Sequence, residues 1–161
     1  MGGGQYKIKD RVGSWAVKDY KVLDNDAQYK PDYSEDLNYP IDKKVKEVDV
    51  VFCLEVMEYI WRPYVAHQNI FKFLKEGGIA YISYPTIYPL HNPPGIDYLR
   101  YTKNAIEKFL TESGFKSWEI TSRIATAGQD SLADFYSLEQ MRAMKGTSEI
   151  FNIGYMCKAV K

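Results

Sequence analysis

Glu55 follows the apolar run Val48–Leu54 without a break. An acid that closes such a run suits a site better than a core, with a solvated surface position as the plain alternative. Further on, Pro85 to Thr102 reads PTIYPLHNPPGIDYLRYT, with four prolines and a glycine. Such a loop is stiff, and loops of this length tend to carry function. It holds His91, Asp97 and Arg100. His91 can act as a base near neutrality, with Asp97 as the second candidate. Arg100 can hold a carboxylate or phosphate on a substrate. An Asp97–Arg100 surface ion pair and a turn-capping histidine account for the same residues equally well.

Four weaker signals accompany these. Asp24 closes the short apolar run Tyr20–Leu23. A carboxylate at a strand end can accept both hydroxyls of a ribose, or simply cap a turn. Asp36-Leu37-Asn38 can hydrogen-bond an adenine amine, or form an Asx-turn. Tyr59 and Trp61 can supply a stacking wall, or flank the core. Gly2, Gly3 and Gly4 form a backbone that a ligand can approach closely, or merely a chain start.

The elements that must position these residues alternate in type. Tyr20–Leu23 reads as a strand before the turn-prone Asp24-Asn25-Asp26. Residues 27–40 read as loop, with a short strand near Tyr33. Val48–Cys53 is a continuous apolar strand, as expected where helices cover a sheet. Pro63 suits a helix start, and Ala66, Ile70, Phe73 and Leu74 recur at helical spacing. Lys75 is expected in the last turn and Gly77 as its C′ residue. Ile79–Tyr84 is the next strand. Thr102 caps a helix carrying Ile106, Phe109 and Leu110, which Gly114 ends. Ser117–Arg123 alternates like a strand, Phe135–Met144 is weakly helical, and Ile150–Val160 is a last strand with a glycine inside. This alternation predicts a single α/β domain over 1–161, with ligands beyond the carboxyl ends of the strands.

The bulk numbers exclude several classes. At 161 residues and 45% hydrophobic content the chain can bury a sizeable core. Its 21 basic and 21 acidic residues cancel, so no field steers it to nucleic acid. No segment is apolar enough to cross a membrane, and the first residues lack the core of a signal peptide. Cys53 and Cys157 lie in apolar runs without metal-ligand spacing, as expected of buried thiols in the cytoplasm. Fourteen tyrosines can cover a homodimer interface or sit at a core edge.

Several of these segments, in this order, resemble class I S-adenosylmethionine-dependent methyltransferases. Glu55-Val56-Met57-Glu58-Tyr59-Ile60 is similar to the family's Glu-Val-Leu-Glu-His-Ile after its fourth strand, with Tyr59 where histidine is common. Leu74-Lys75-Glu76-Gly77-Gly78 is similar to Leu-Lys-Pro-Gly-Gly before the fifth strand. The His91…Asp97-Tyr98-Leu99-Arg100-Tyr101-Thr102 pattern resembles a loop of a subgroup linked to small-molecule and glycan methylation. Glu112-Ser113-Gly114-Phe115 resembles the Ala-Gly-Phe ending of the next helix. The resemblance covers roughly residues 2 to 123.

The resemblance implies a Rossmann-like, mostly parallel sheet with an antiparallel final strand and helices on both faces. It implies S-adenosyl-L-methionine as cofactor. Gly2, Gly3 and Gly4 match the loop at its methionine part, Asp24 the ribose-binding acid, and Asp36 and Leu37 the residues beside the adenine. Cys53, Leu54 and Glu55 match the stretch lining the pocket, and Tyr59 and Arg100 are expected to meet the substrate. The implied reaction is methyl transfer to an oxygen or nitrogen of a small molecule or saccharide. In the family an apolar strand precedes the glycine loop, whereas only Met1 does here. Three explanations stand: a chain that begins upstream, a strand donated by another chain, or a shortened, non-catalytic relative. A nicotinamide oxidoreductase is disfavoured, because no G-x-G-x-x-G follows a strand.

Overall fold

The computed structural model describes residues 17–42, 45–91, 95–124, 139–140 and 152–161. The glycines at 2–4 and most of the weak helix expected at 135–144 lie outside these residues.

Two short strands come first, β1 (Leu23–Asp24) and β2 (Tyr33–Ser34). They pair in parallel with each other as a sheet of their own. The chain between them is tied by side chains. Asp32 accepts the N–H of Val22 at 2.9 Å and pairs with Lys21 at 3.2 Å. Asp26 caps the 3-10 turn Ala27–Tyr29 through the N–H of Gln28.

The main sheet holds β3 (Val48–Cys53), β4 (Leu74–Pro85), β5 (Ser117–Ile124) and β6 (Asn152–Val160). Its order is β3-β4-β6-β5. β3 and β4 are parallel, while β6 runs antiparallel between β4 and β5. β5 therefore points the same way as β3 and β4, and the carboxyl ends of these three share one edge. The fold class expected from sequence is the one observed, with the last strand as the antiparallel member. Gly154 is needed where β6 crosses Pro85, since a Cβ there would lie 2.6 Å from the carbonyl oxygen of Tyr84.

Two helices connect the parallel strands, α1 (Pro63–Phe73) and α2 (Lys103–Ser113). Both start as the sequence indicates, with Pro63 in the first turn and Thr102 accepting the N–H of Ala105. Gly114 ends α2 at φ +94°, in the left-handed region that a C′ residue adopts. The helices pack on each other through His67 against Phe109, and Phe71 meets Phe115 just past the end of α2. The core beneath contains Ile70, Leu74, Ile82, Ile106 and Leu110, all fully buried.

The end of α1 differs from expectation. The helix stops at Phe73, and β4 begins at once with Leu74, which pairs with Val48. Lys75 and Gly77 therefore belong to the strand. Between the Val48–Leu74 and Val50–Ile79 pairs the register shifts, and the extra residues bulge. Gly77 (φ +74°) donates its N–H to Lys161, and Gly78 accepts from the same residue. The glycines were legible as a reversal point, but they serve a strand bulge rather than a helix cap.

β3 pairs with β4 and with no other strand among the described residues. A groove of about 780 Å³ lies along it, lined by Tyr20, Leu23, Tyr33, Val48, Val50 and Tyr81 among others. It runs between the β1–β2 pair and the main sheet.

Candidate functional site

The carboxyl end of β3 sets the geometry. Glu55 follows it with φ +53°, a left-handed conformation that is costly for a residue with a Cβ. The chain is held in this shape from β4 and β5. Glu55 donates its N–H to Ser83 Oγ at 2.7 Å, and Ser83 returns its hydroxyl to Glu55 Oε1 at 3.1 Å. Arg123 Nη1 reaches the same oxygen at 2.8 Å. The backbone turn aims residues 56–59 back over the sheet, into the 3-10 turn Met57–Tyr59.

The loop after β4 closes onto this turn. Glu58 O accepts the N–H of Tyr98 at 2.7 Å, and Met57 O accepts the Tyr101 hydroxyl at 2.8 Å. Thr86 Oγ1 donates to Tyr101 O, and Tyr101 N–H donates to Pro85 O, which joins the loop's two ends. The loop residues named by sequence are thereby brought beside Glu55 and Tyr59.

Within the loop, Asp97 gathers both other candidates. Its side chain is 4% exposed. It accepts the backbone N–H of His91 at 2.6 Å, and His91 Nδ1 lies 2.9 Å from its other oxygen. With Nδ1–H donated to the carboxylate, Nε2 of His91 is left as an acceptor. The backbone hydrogen bond from His91 holds the Asp97 carboxyl below its ordinary range, and the imidazole and Arg100 add to this. Arg100 lies 3.6 Å from Asp97 and donates to Leu99 O and Tyr88 O. It is engaged in holding the loop. His91 sits between aromatic rings, with Tyr59 at 5.0 Å and Tyr88 at 5.7 Å. Burial pushes the Tyr59 hydroxyl up to about 12, and the nearby carboxylates Glu58, Asp97 and Glu55 add to it.

Sequence reasoning missed Glu58, which is fully buried. Neither carboxyl oxygen has a hydrogen-bond partner. Burial, more than its neighbours Glu55 and Asp97, raises its pKa. Ser83 and Arg123 were also missed. Their strands were read correctly, but nothing in a strand pattern marks which residue meets a neighbour's acid.

The remaining candidates lie on the amino-terminal side. Asp24 is nearly buried and accepts the N–H of Asp26 at 3.0 Å, so a turn role is realised there. Asp36 accepts both the N–H and the side-chain amide of Asn38, an Asx-turn. Asn38 in turn accepts the N–H groups of Trp61 and Arg62 at the start of α1. Leu37 is buried in the core. A hollow of about 360 Å³ opens beside Asp36, with Asn25, Ser34, Glu35, Tyr39 and Ile41 around it. Cys53 is wholly buried, and burial pushes its thiol up to about 11. Leu54 is half-buried. Trp61 packs edge-on against Tyr39 at 6.0 Å and stands away from the His91 cluster. Among the described residues no cluster of side chains suits a metal ion.

No family model matches the chain, and no curated protein matches it by sequence. Solved structures do. An S-adenosylmethionine-dependent methyltransferase from Mesorhizobium loti matches at 13% identity and TM-score 0.56, over 86% of this chain and 78% of that one. The CMeT domain of the citrinin polyketide synthase matches at 14% identity and TM-score 0.50, over 78% of this chain and 31% of that one. Haemonchus contortus phosphoethanolamine N-methyltransferase 2, bound to phosphomonomethylethanolamine and S-adenosylhomocysteine, matches at 16% identity and TM-score 0.43, over 70% of this chain. The chain spans 33% of that enzyme's length. The likeness is one of architecture: this chain has the Rossmann-like fold of class I S-adenosylmethionine-dependent methyltransferases.

Proposed function

We propose that this chain binds S-adenosyl-L-methionine and transfers its methyl group to an oxygen or nitrogen of a small molecule or saccharide. The observation that carries the reading is the convergence of Glu55, Tyr59 and the His91–Asp97 pair at the carboxyl end of β3, in a sheet of this fold. The residues present suit a ligand of that kind. The hollow beside Asp36 has room and polar walls, and the strand-end acids Asp24 and Glu55 suit hydroxyls and positive charge.

In this reading Gly2, Gly3 and Gly4 approach the methionine part, Asp24 the ribose, and Asp36 and Leu37 the adenine. Cys53, Leu54 and Glu55 line the pocket. When bound, S-adenosylmethionine supplies a methyl group on an electrophilic sulfonium. The protein's work is alignment of the acceptor and exclusion of water. Tyr59 and the rings near it form an acceptor wall. Arg100 keeps the loop in shape. His91 Nε2 takes a proton where the acceptor must lose one, with Asp97 fixing the imidazole's tautomer. The acceptor is the expected partner, the protein acts in the cytoplasm, and its tyrosine-rich surface fits a homodimer. Balanced charge argues against nucleic acid. No helix among the described residues is long and apolar enough to cross a membrane.

Calorimetric titration with S-adenosylmethionine, and separately with S-adenosylhomocysteine, tests the reading. Micromolar binding of both is expected. A folded sample that gives no heat with either would remove the assignment and favour a non-catalytic relative.

A further inference from the structure

The charges at this end of the sheet pair off with one exception. Glu55 has Arg123 at 2.8 Å. Asp97 has His91 at 2.9 Å and Arg100 at 3.6 Å. Among the described residues Glu58 has no ion pair, neither carboxyl oxygen has a hydrogen-bond partner, and the residue is fully buried. A buried acid without partners is costly, and such a group needs an explanation. Looseness does not supply one, because Tyr98 and Tyr101 pin the backbone of its turn. The charged groups that face it are Glu55, His91 and Asp97, and the two acids already have cations of their own.

The same place is aromatic. Tyr59 and Tyr88 flank the His91 ring at 5.0 and 5.7 Å. An uncompensated carboxyl beside aromatic faces is the chemistry that recognises an organic cation, because carboxylate and ring faces both attract positive charge. We propose that Glu58, with the rings of Tyr59, Tyr88 and His91, receives an organic cation, and that the methyl acceptor is an amine delivered as its ammonium ion. The receptor stands on the geometry alone, whereas its use for an acceptor rests on the methyltransferase reading. Tyr59 and His91 are both half-buried.

The proton and charge balance follows. Burial raises the pKa of Glu58. An ammonium ion entering beside it forms a carboxylate–ammonium pair, and a proton held by the acid leaves to solvent. The ammonium then gives one proton to Nε2 of His91, its acceptor nitrogen, which frees the amine lone pair while Glu58 stays a carboxylate. That lone pair forms the new N–C bond as the bond from carbon to sulfur breaks, and the breaking pair stays on sulfur as a neutral thioether. The positive charge moves from sulfur to the methylated nitrogen.

The test uses two probes of similar size, tetramethylammonium and uncharged tert-butanol. The ring signals of His91 and Tyr59 are followed by NMR in the wild-type chain and in Glu58→Gln, which keeps the shape and removes the charge. Saturable shifts with tetramethylammonium are expected, at least fivefold tighter than with tert-butanol, and weakened at least fivefold in Glu58→Gln. Equal response to both probes, or an unaltered response in the variant, overturns the proposal. Should the variant not fold, the wild type decides: tetramethylammonium shifts that saturate no more tightly than those with tert-butanol overturn the proposal. S-adenosylhomocysteine binding without charge selectivity sinks the amine proposal alone. Charge-selective binding without any affinity for the nucleoside sinks the methyltransferase reading and leaves the receptor.

Discussion

A histidine that gives its Nδ1–H to a carboxylate has its other nitrogen fixed as an acceptor. His91 is held this way by an Asp97 that is almost wholly shielded from solvent. If it removes the acceptor's proton, His91→Ala should lower the methyl-transfer rate at least tenfold at neutral pH. Asp97→Asn should cost less, because the imidazole survives while its tautomer is no longer fixed. Radiolabelled methyl transfer would measure both, and unchanged turnover in His91→Ala would remove this residue from the chemistry. At this scale the sequence was informative about residue type and blind to environment. His91, Asp97 and Glu55 were legible because loops and strand ends are where such residues have work to do. The loop pairing was legible only in part: Asp97 does meet Arg100, but its nearer partner is the imidazole. Glu58 sat in plain view between Met57 and Tyr59. Its meaning lies in its burial and lack of partners, which spacing along the chain does not encode.

Elements show a similar division. The helical face of α1 was read from Ala66, Ile70 and Phe73, all buried. The same face also buries His67, whose Nδ1–H donates to Pro63 O at 2.6 Å and whose Nε2 accepts the Tyr84 hydroxyl at 2.7 Å. Both nitrogens are satisfied in the neutral ring. Burial pulls its pKa down from an ordinary 6.5 to about 4. The native state therefore prefers the uncharged form, and its full contribution is present above pH 6.5. That contribution falls as the pH drops toward 4, by roughly 3 kcal/mol in all. Urea unfolding between pH 7 and 4 should show this loss, and His67→Gln should flatten it. An equal slope in the variant would assign the acid sensitivity to carboxylates instead. The end of α1 was less legible than its face. Leu74 fits an apolar helical position as well as a strand pair with Val48, and local pattern cannot distinguish them.

For the whole molecule, alternation of strand and helix was enough to indicate the α/β class. Strand order was not in that alternation. The place of β6 between β4 and β5 comes from an antiparallel register running from Ile79–Val160 to Pro85–Gly154 on one side and Ser117–Val160 to Ile124–Asn152 on the other. The resemblance in wording anticipated an antiparallel last strand but not its place, and composition and period anticipated neither. The amino-terminal side was least legible. β1 and β2 are two residues each, too short for periodicity to register, and they form a separate sheet beside the groove along β3. Side-chain ties organise that side. Asn38 and Asn69 reach between the loop and α1, where Asn69 donates to Leu37 O and Tyr39 O and accepts from Ile41. Asn38 looks like a turn former from sequence and Asn69 like one more helix residue, yet both act as cross-links.

Glu55 gives the molecule a built-in conflict between endurance and use. Its left-handed backbone costs about 1–2 kcal/mol that a glycine would not incur. Its partly exposed bridge to Arg123 returns on the order of 1 kcal/mol or less. Glu55→Gly should therefore melt a few degrees higher, read by scanning calorimetry, while its affinity for S-adenosylmethionine falls. A lower melting temperature would show that the ties to Ser83 and Arg123 outweigh the strain. A library of variants selected only for heat resistance should accumulate glycine at position 55. Such a selection would drift away from the proposed activity while every measure of folding improved.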